Sequence, residues 1–91
     1  MTPVMPTHSF AFADTTHNVF HAAKGEGLPR HEHTYAHATV CHAGSIAIRK
    51  EGREVVFTKI TQPAVLAAAE WHEIEALEDG TVFENIFRTE T

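Results

Sequence analysis

The chain has 91 residues, enough for one domain but near the lower limit for a self-sufficient hydrophobic core. Its composition, 43% hydrophobic and 21% charged, is ordinary for a globular protein, and with a formal charge of −5 and seven scattered Lys and Arg residues nothing suggests a nucleic-acid or anionic-membrane surface. The one cysteine, Cys41, excludes an internal disulfide, and the N-terminus has neither a basic start nor a long apolar run, so the expected compartment is the cytoplasm.

In chain order, Phe10-Ala-Phe12-Ala alternates and predicts a short strand, available for pairing with a neighbouring subunit, and residues 18–22 predict a second. Lys24-Gly-Glu-Gly27 reads as a turn, because paired glycines permit positive φ. Residues 28–33 form the next strand, 34–36 a bend, and 37–42 a further strand closed by Ala43-Gly44. Ser45-Ile-Ala-Ile-Arg49 and residues 54–59 alternate around Lys50-Glu-Gly-Arg53, a hairpin carrying Gly52. Ala64-Val-Leu-Ala-Ala-Ala-Glu70 has helix propensity but is too short for a stable isolated helix. Residues 71–77 alternate, with Glu73 and Glu75 on one face and His72, Ile74 and Ala76 on the other; 81–87 form the closing strand. Seven or eight short strands with no long helix predict an all-β barrel or jelly roll.

Eight histidines in 91 residues stand out. His31 and His33 form a His-x-His pair, and strand side chains alternate faces with a rise of about 3.3 Å per residue, so both imidazoles point the same way. That spacing suits two ligands on one metal ion, at ~2.0–2.1 Å each for zinc. His37 shares their parity and joins them if its strand folds back alongside.

At these residues the sequence resembles the cupin superfamily. The first cupin motif is Gly, five residues, His-x-His, three or four residues, Glu, six residues, Gly. Gly25, His31-Glu-His33, His37 and Gly44 fit every spacing, with His37 where the family usually has Glu. The second motif keeps only His72, since Thr61, Ala67, Ala69 and Ala76 replace its Gly, Pro, Gly and Asn. The resemblance implies a small cupin-type β-barrel over residues 1–91, with N-terminal strands in 1–24 and the barrel region in 25–87. It also implies one divalent transition metal, Fe, Ni, Cu or Zn, on His31, His33, His37 and His72. In Cupins the first-motif Glu neutralises one metal charge. Four neutral imidazoles neutralise none, so the site would favour an anionic ligand and a metal softer than Mg²⁺ or Mn²⁺.

Tyr35 in the bend, Cys41 at the parity of His37, and whichever of Glu84 and Asn85 faces inward are the further pocket candidates. Trp71, Phe83 and Phe87 are expected in the core, and Glu70, Glu73 and Glu75 on a solvated rim. His8, His17, His21 and His42 have no ligand spacing. The resemblance implies dioxygenase, lyase, isomerase or decarboxylase chemistry on a small oxygenated or anionic substrate. Two alternatives stay open: a non-catalytic module that senses or stores a metal or small ligand, and a barrel whose metal is purely structural. A homodimer is the expected assembly, because a barrel this small has sheet edges and faces for a partner to cover.

Overall fold

The computed structural model describes every residue except His33, Thr34, Ala69, Glu90 and Thr91. Among the described residues all regular structure is β: β1 (Thr2–Pro3), β2 (His8–Phe12), β3 (Thr15–Ala22), β4 (Glu26–His31), β5 (His37–Ala43), β6 (Ser45–Lys50), β7 (Arg53–Thr58), β8 (Ala64–Leu66), β9 (His72–Ala76) and β10 (Thr81–Arg88). They form two five-stranded sheets, ordered β1-β4-β9-β6-β7 and β2-β3-β10-β5-β8. The all-β jelly-roll expectation therefore holds.

Alternation decides which side of each strand faces the core. Along β9 the pattern is buried at His72, Ile74 and Ala76 and half-buried at Glu73 and Glu75 between them. β10 does the same with Thr81, Phe83 and Asn85 inward. The core between the sheets joins Phe20, Phe83, Ile46, Ile48, Ile74 and Leu66, and the Phe20 and Phe83 rings stack at 4.8 Å between centroids. Each fully buried aromatic or aliphatic side chain there contributes about 1.5–3 kcal/mol.

The predicted hairpin stands: β6 ends at Lys50, β7 begins at Arg53, and Gly52 at φ +69° makes the turn. Among the described residues of 64–70 none is helical; 64–66 instead pair with Thr39, Ala38 and His37 as β8, because β5 offers an open edge. The Lys24–Gly27 turn is corrected by one residue type. Gly25 has φ +87° in the turn, but Gly27 lies inside β4.

Three side-chain expectations are also corrected. Trp71 is not a core residue: it is half-buried, with the Arg30 guanidinium 4.3 Å from its ring centroid. Phe87 lines a cavity instead of packing in the core. The acidic rim is paired, since Arg49 contacts Glu54, Glu73 and Glu75, and Lys50 contacts Glu70. Strand β2 is exposed throughout and is an edge of its sheet, with Phe10 and Phe12 turned to solvent.

Candidate metal centre and cavity

The histidine cluster lies where the two sheets meet at one end. His31 ends β4 directly opposite His72 of β9, in the first sheet. His37 starts β5 in the second sheet, paired with Phe87 and Leu66. His37 and His72 are both buried, and their Nε2 atoms are 3.2 Å apart. The His31 ring meets the His72 ring edge-on at 4.3 Å. His33 lies outside the described residues.

The other ring nitrogens fix the tautomers. His72 Nδ1 is 3.1 Å from the Glu70 carbonyl and His31 Nδ1 is 2.6 Å from the Pro29 carbonyl. A carbonyl only accepts, so each Nδ1 carries the proton. His37 Nδ1 is 3.3 Å from Thr39 Oγ1, and that hydroxyl gives its single proton to Asn85 Oδ1 at 2.7 Å. His37 Nδ1 is thus the donor as well. In the neutral rings Nε2 is then the lone-pair nitrogen, so the His37–His72 contact at 3.2 Å brings two acceptor nitrogens together.

Two acceptor nitrogens at 3.2 Å repel unless something positive lies between them. Two imidazole nitrogens on one ion, each at ~2.0–2.1 Å, stand about 2.9 Å apart at a right angle and about 3.4 Å apart at the tetrahedral angle. The observed spacing falls inside that interval, so these residues fit a metal. Among the described residues no group of three or more His, Cys, Asp or Glu side chains is arranged to hold an ion by itself. A complete site needs donors beyond this pair.

A cavity of about 460 Å³ opens beside the cluster, lined in part by His31, His37, Tyr35, Asn85, Phe20 and Phe87. The choice on the closing strand is settled by its register. Asn85 faces the cavity, and Glu84 faces out, correcting its candidacy as a pocket residue. Cys41 is buried in the core cluster and does not line the cavity. Burial, reinforced by the nearby Glu78 charge, pushes its thiol above the usual range, which makes it a poor nucleophile at neutral pH.

Glu84 has its own partners, which sequence spacing does not reveal. His17 Nδ1 on β3 and His42 Nε2 on β5 lie 2.5 and 2.7 Å from its two carboxylate oxygens, across strands adjacent to β10. Burial pushes the carboxyl up, but the hydrogen bonds and charges of His42 and His17 together pull it below its ordinary value. A depressed carboxyl contributes stability above its unfolded value and loses it as pH falls through its folded value. Glu84→Gln should therefore cost about 1–3 kcal/mol at pH 7. The gap to wild type should narrow as pH falls through the depressed folded value, because the native carboxyl is then itself protonated. Urea melts from pH 7 to pH 3 read this directly, and a pH-independent gap would contradict it.

No family model matches the sequence, and no curated protein matches it significantly. Solved structures do. KdgF from a Halomonas species superposes with a TM-score of 0.81 at 16% identity, covering 92% of this chain and 79% of that one. A cupin superfamily protein from Desulfitobacterium hafniense gives 0.77 at 16% identity, covering 91% and 75%. A cupin domain from Bordetella pertussis gives 0.70 at 15% identity over 98% and 96% of the two chains. At these identities the likeness is one of fold, and it agrees with the two facing sheets described above: the chain has the jelly-roll fold of the small cupins.

Proposed function

We propose that this chain is a metal-binding protein whose cavity takes a small oxygenated or anionic ligand at one divalent transition metal. His37 and His72 provide the pair of nitrogens around the ion, and His31 and His33 complete the ligand set by their sequence spacing. The observation that carries this reading is the approach of His37 Nε2 to His72 Nε2 while both Nδ1 atoms act as donors. A cation stabilises two acceptor nitrogens brought this close. The nitrogen-only donor set suits Fe, Ni, Cu or Zn. Such an ion supplies Lewis-acid polarisation or a centre for O₂ activation.

The chain's own residues do the rest. The hydrogen bonds to Glu70, Thr39 and Pro29 lock the ring planes and keep the ligating tautomer. Phe20 and Phe87 keep part of the cavity wall apolar, which strengthens polar contacts made inside it. The cavity beside His31 and His37 favours an open coordination position over a purely structural metal. A sensing or storage module would use the same pocket without turnover.

Elemental analysis tests the reading. Protein purified without chelators should carry about one equivalent of iron, nickel, copper or zinc, or take one up on titration. No bound metal and no uptake would leave an imidazole–imidazolium pair sharing a proton, and would overturn the proposal.

A further inference from the structure

Asn18 on β3 and Asn85 on β10 stand directly opposite each other in the ladder, and both line the cavity shared with His31 and His37. Each amide has its oxygen already engaged. Ser9 Oγ donates to Asn18 Oδ1 at 2.5 Å, and Thr39 Oγ1 donates to Asn85 Oδ1 at 2.7 Å. What each amide turns elsewhere is its NH₂ group, two donors with no acceptor capacity.

The orientation of the Asn85 amide and the tautomer of His37 go together. With the amide reversed, its NH₂ would donate to Thr39, Thr39 would donate to His37 Nδ1, and the proton would move to Nε2. That nitrogen could not then ligate a metal. The ligating tautomer and an N–H donor at Asn85 are thus two ends of one chain, from His37 Nδ1–H through the Thr39 hydroxyl to Asn85 Oδ1.

The charge around the cavity points the same way. The protein has twelve Asp and Glu against seven Lys and Arg, yet no carboxylate lines this cavity among the described residues. Arg30 does, at its rim. A net-acidic chain that keeps its carboxylates off one wall and places paired N–H donors there is built for a negatively charged oxygen ligand.

We propose that Asn18 and Asn85 form a paired N–H donor site for a carboxylate group of the ligand at the metal, with Thr39 coupling the Asn85 amide to His37. This rests on the metal reading above and adds the recognition chemistry to it. Thr39 is a positioning residue; Asn18 and Asn85 are the contacts.

The test uses zinc-loaded protein, malonate as probe and malonamide as its uncharged counterpart. The chain contains only Asn18, Asn85 and Gln62 as side-chain amides, so three NH₂ pairs appear in a ¹H–¹⁵N spectrum. Malonate should shift the two asparagine pairs and leave the Gln62 pair in place, and malonamide should shift none. Asn85→Asp keeps an acceptor for Thr39 but replaces the donor with a carboxylate oxygen. It should take up zinc and bind malonate at least about tenfold more weakly. Thr39→Val should weaken malonate binding and zinc binding together, a joint loss that a merely structural role for Asn85 would not give.

Zinc uptake with unmoved asparagine pairs, or with unchanged malonate affinity in Asn85→Asp, overturns the carboxylate site alone. Absence of zinc uptake overturns the metal reading instead. The donor site then stands if malonate still shifts both pairs in metal-free protein, and falls if it does not. The wild-type spectrum decides the matter even if the variants fail to fold.

Discussion

Replacing His72 with alanine should leave a folded protein that no longer retains metal at micromolar concentration. His72 is the centre of the cluster: it is opposite His31 in the ladder, its ring is 4.3 Å from that of His31, and its Nε2 is 3.2 Å from that of His37. A zinc site on four side chains is worth about 10–16 kcal/mol at pH 7, or roughly 3 kcal/mol for each ligand. At 1.4 kcal/mol per tenfold, the loss of one ligand lowers affinity by about a hundredfold or more. His37→Ala should behave alike, because the geometry needs both nitrogens. His8→Ala is the control, since His8 is exposed on β2, with its ring 6.1 Å from that of His21 and its Nδ1 beside Thr7 Oγ1. Competition with a chelator gives the affinities, and melting curves with and without zinc give the linked stability. In the metal-loaded protein the melting point should fall on His72→Ala. In the metal-free protein the fall should be smaller, since the stability linked to metal binding is then absent from both proteins. Metal uptake unchanged in both His37→Ala and His72→Ala would place the ion elsewhere.

The parts of this molecule that a sequence displays are those governed by short-range periodicity. Gly52 between two alternating runs announces its hairpin, and the inward set His72, Ile74 and Ala76 follows from a period of two. The polar pairs that shape the surfaces and the pocket depend on which strands become neighbours. His17, Glu84 and His42 meet only because β10 inserts between β3 and β5, with His17 and His42 67 and 42 positions from Glu84. Asn18 and Asn85 become a pair through the same insertion. The choice between Glu84 and Asn85 is a matter of phase: alternation guarantees that one faces inward, but which one depends on where Phe83 enters the core. Trp71 reads as core by residue type, yet it precedes β9 and finds the Arg30 guanidinium instead. Short strands such as β8 are set by an available edge, which overrides the helix propensity of three alanines.

Gly27→Ala should be the most destabilising single-methyl change in the barrel. A Cβ at Gly27 would sit 1.9 Å from the Ile74 carbonyl oxygen, 2.9 Å from its carbon and 3.0 Å from Glu75 Cα. All three are backbone atoms of β9, so no side-chain rotation relieves the clash; the strands must separate. Overpacking against side chains costs about 1–3 kcal/mol, and a backbone obstruction belongs at or above the top of that range. For a domain of this size each kcal/mol moves the melting point by about 4–8 °C, so a loss of roughly 12–24 °C is expected. Gly25 supplies the comparison. It has φ +87° but nothing within 4 Å of its Cβ, so Gly25→Ala pays only backbone strain, about 1–2 kcal/mol. A turn glycine and a packing glycine two residues apart look identical in sequence, and the two substitutions separate them. The consequence reaches the metal centre, because β4 carries His31 and β9 carries His72. Forcing those strands apart at Gly27 should therefore weaken zinc binding as well as folding, whereas Gly25→Ala should leave zinc affinity near wild type. Equal melting points for the two variants would mean that β4 and β9 do not approach as closely as Gly27 requires.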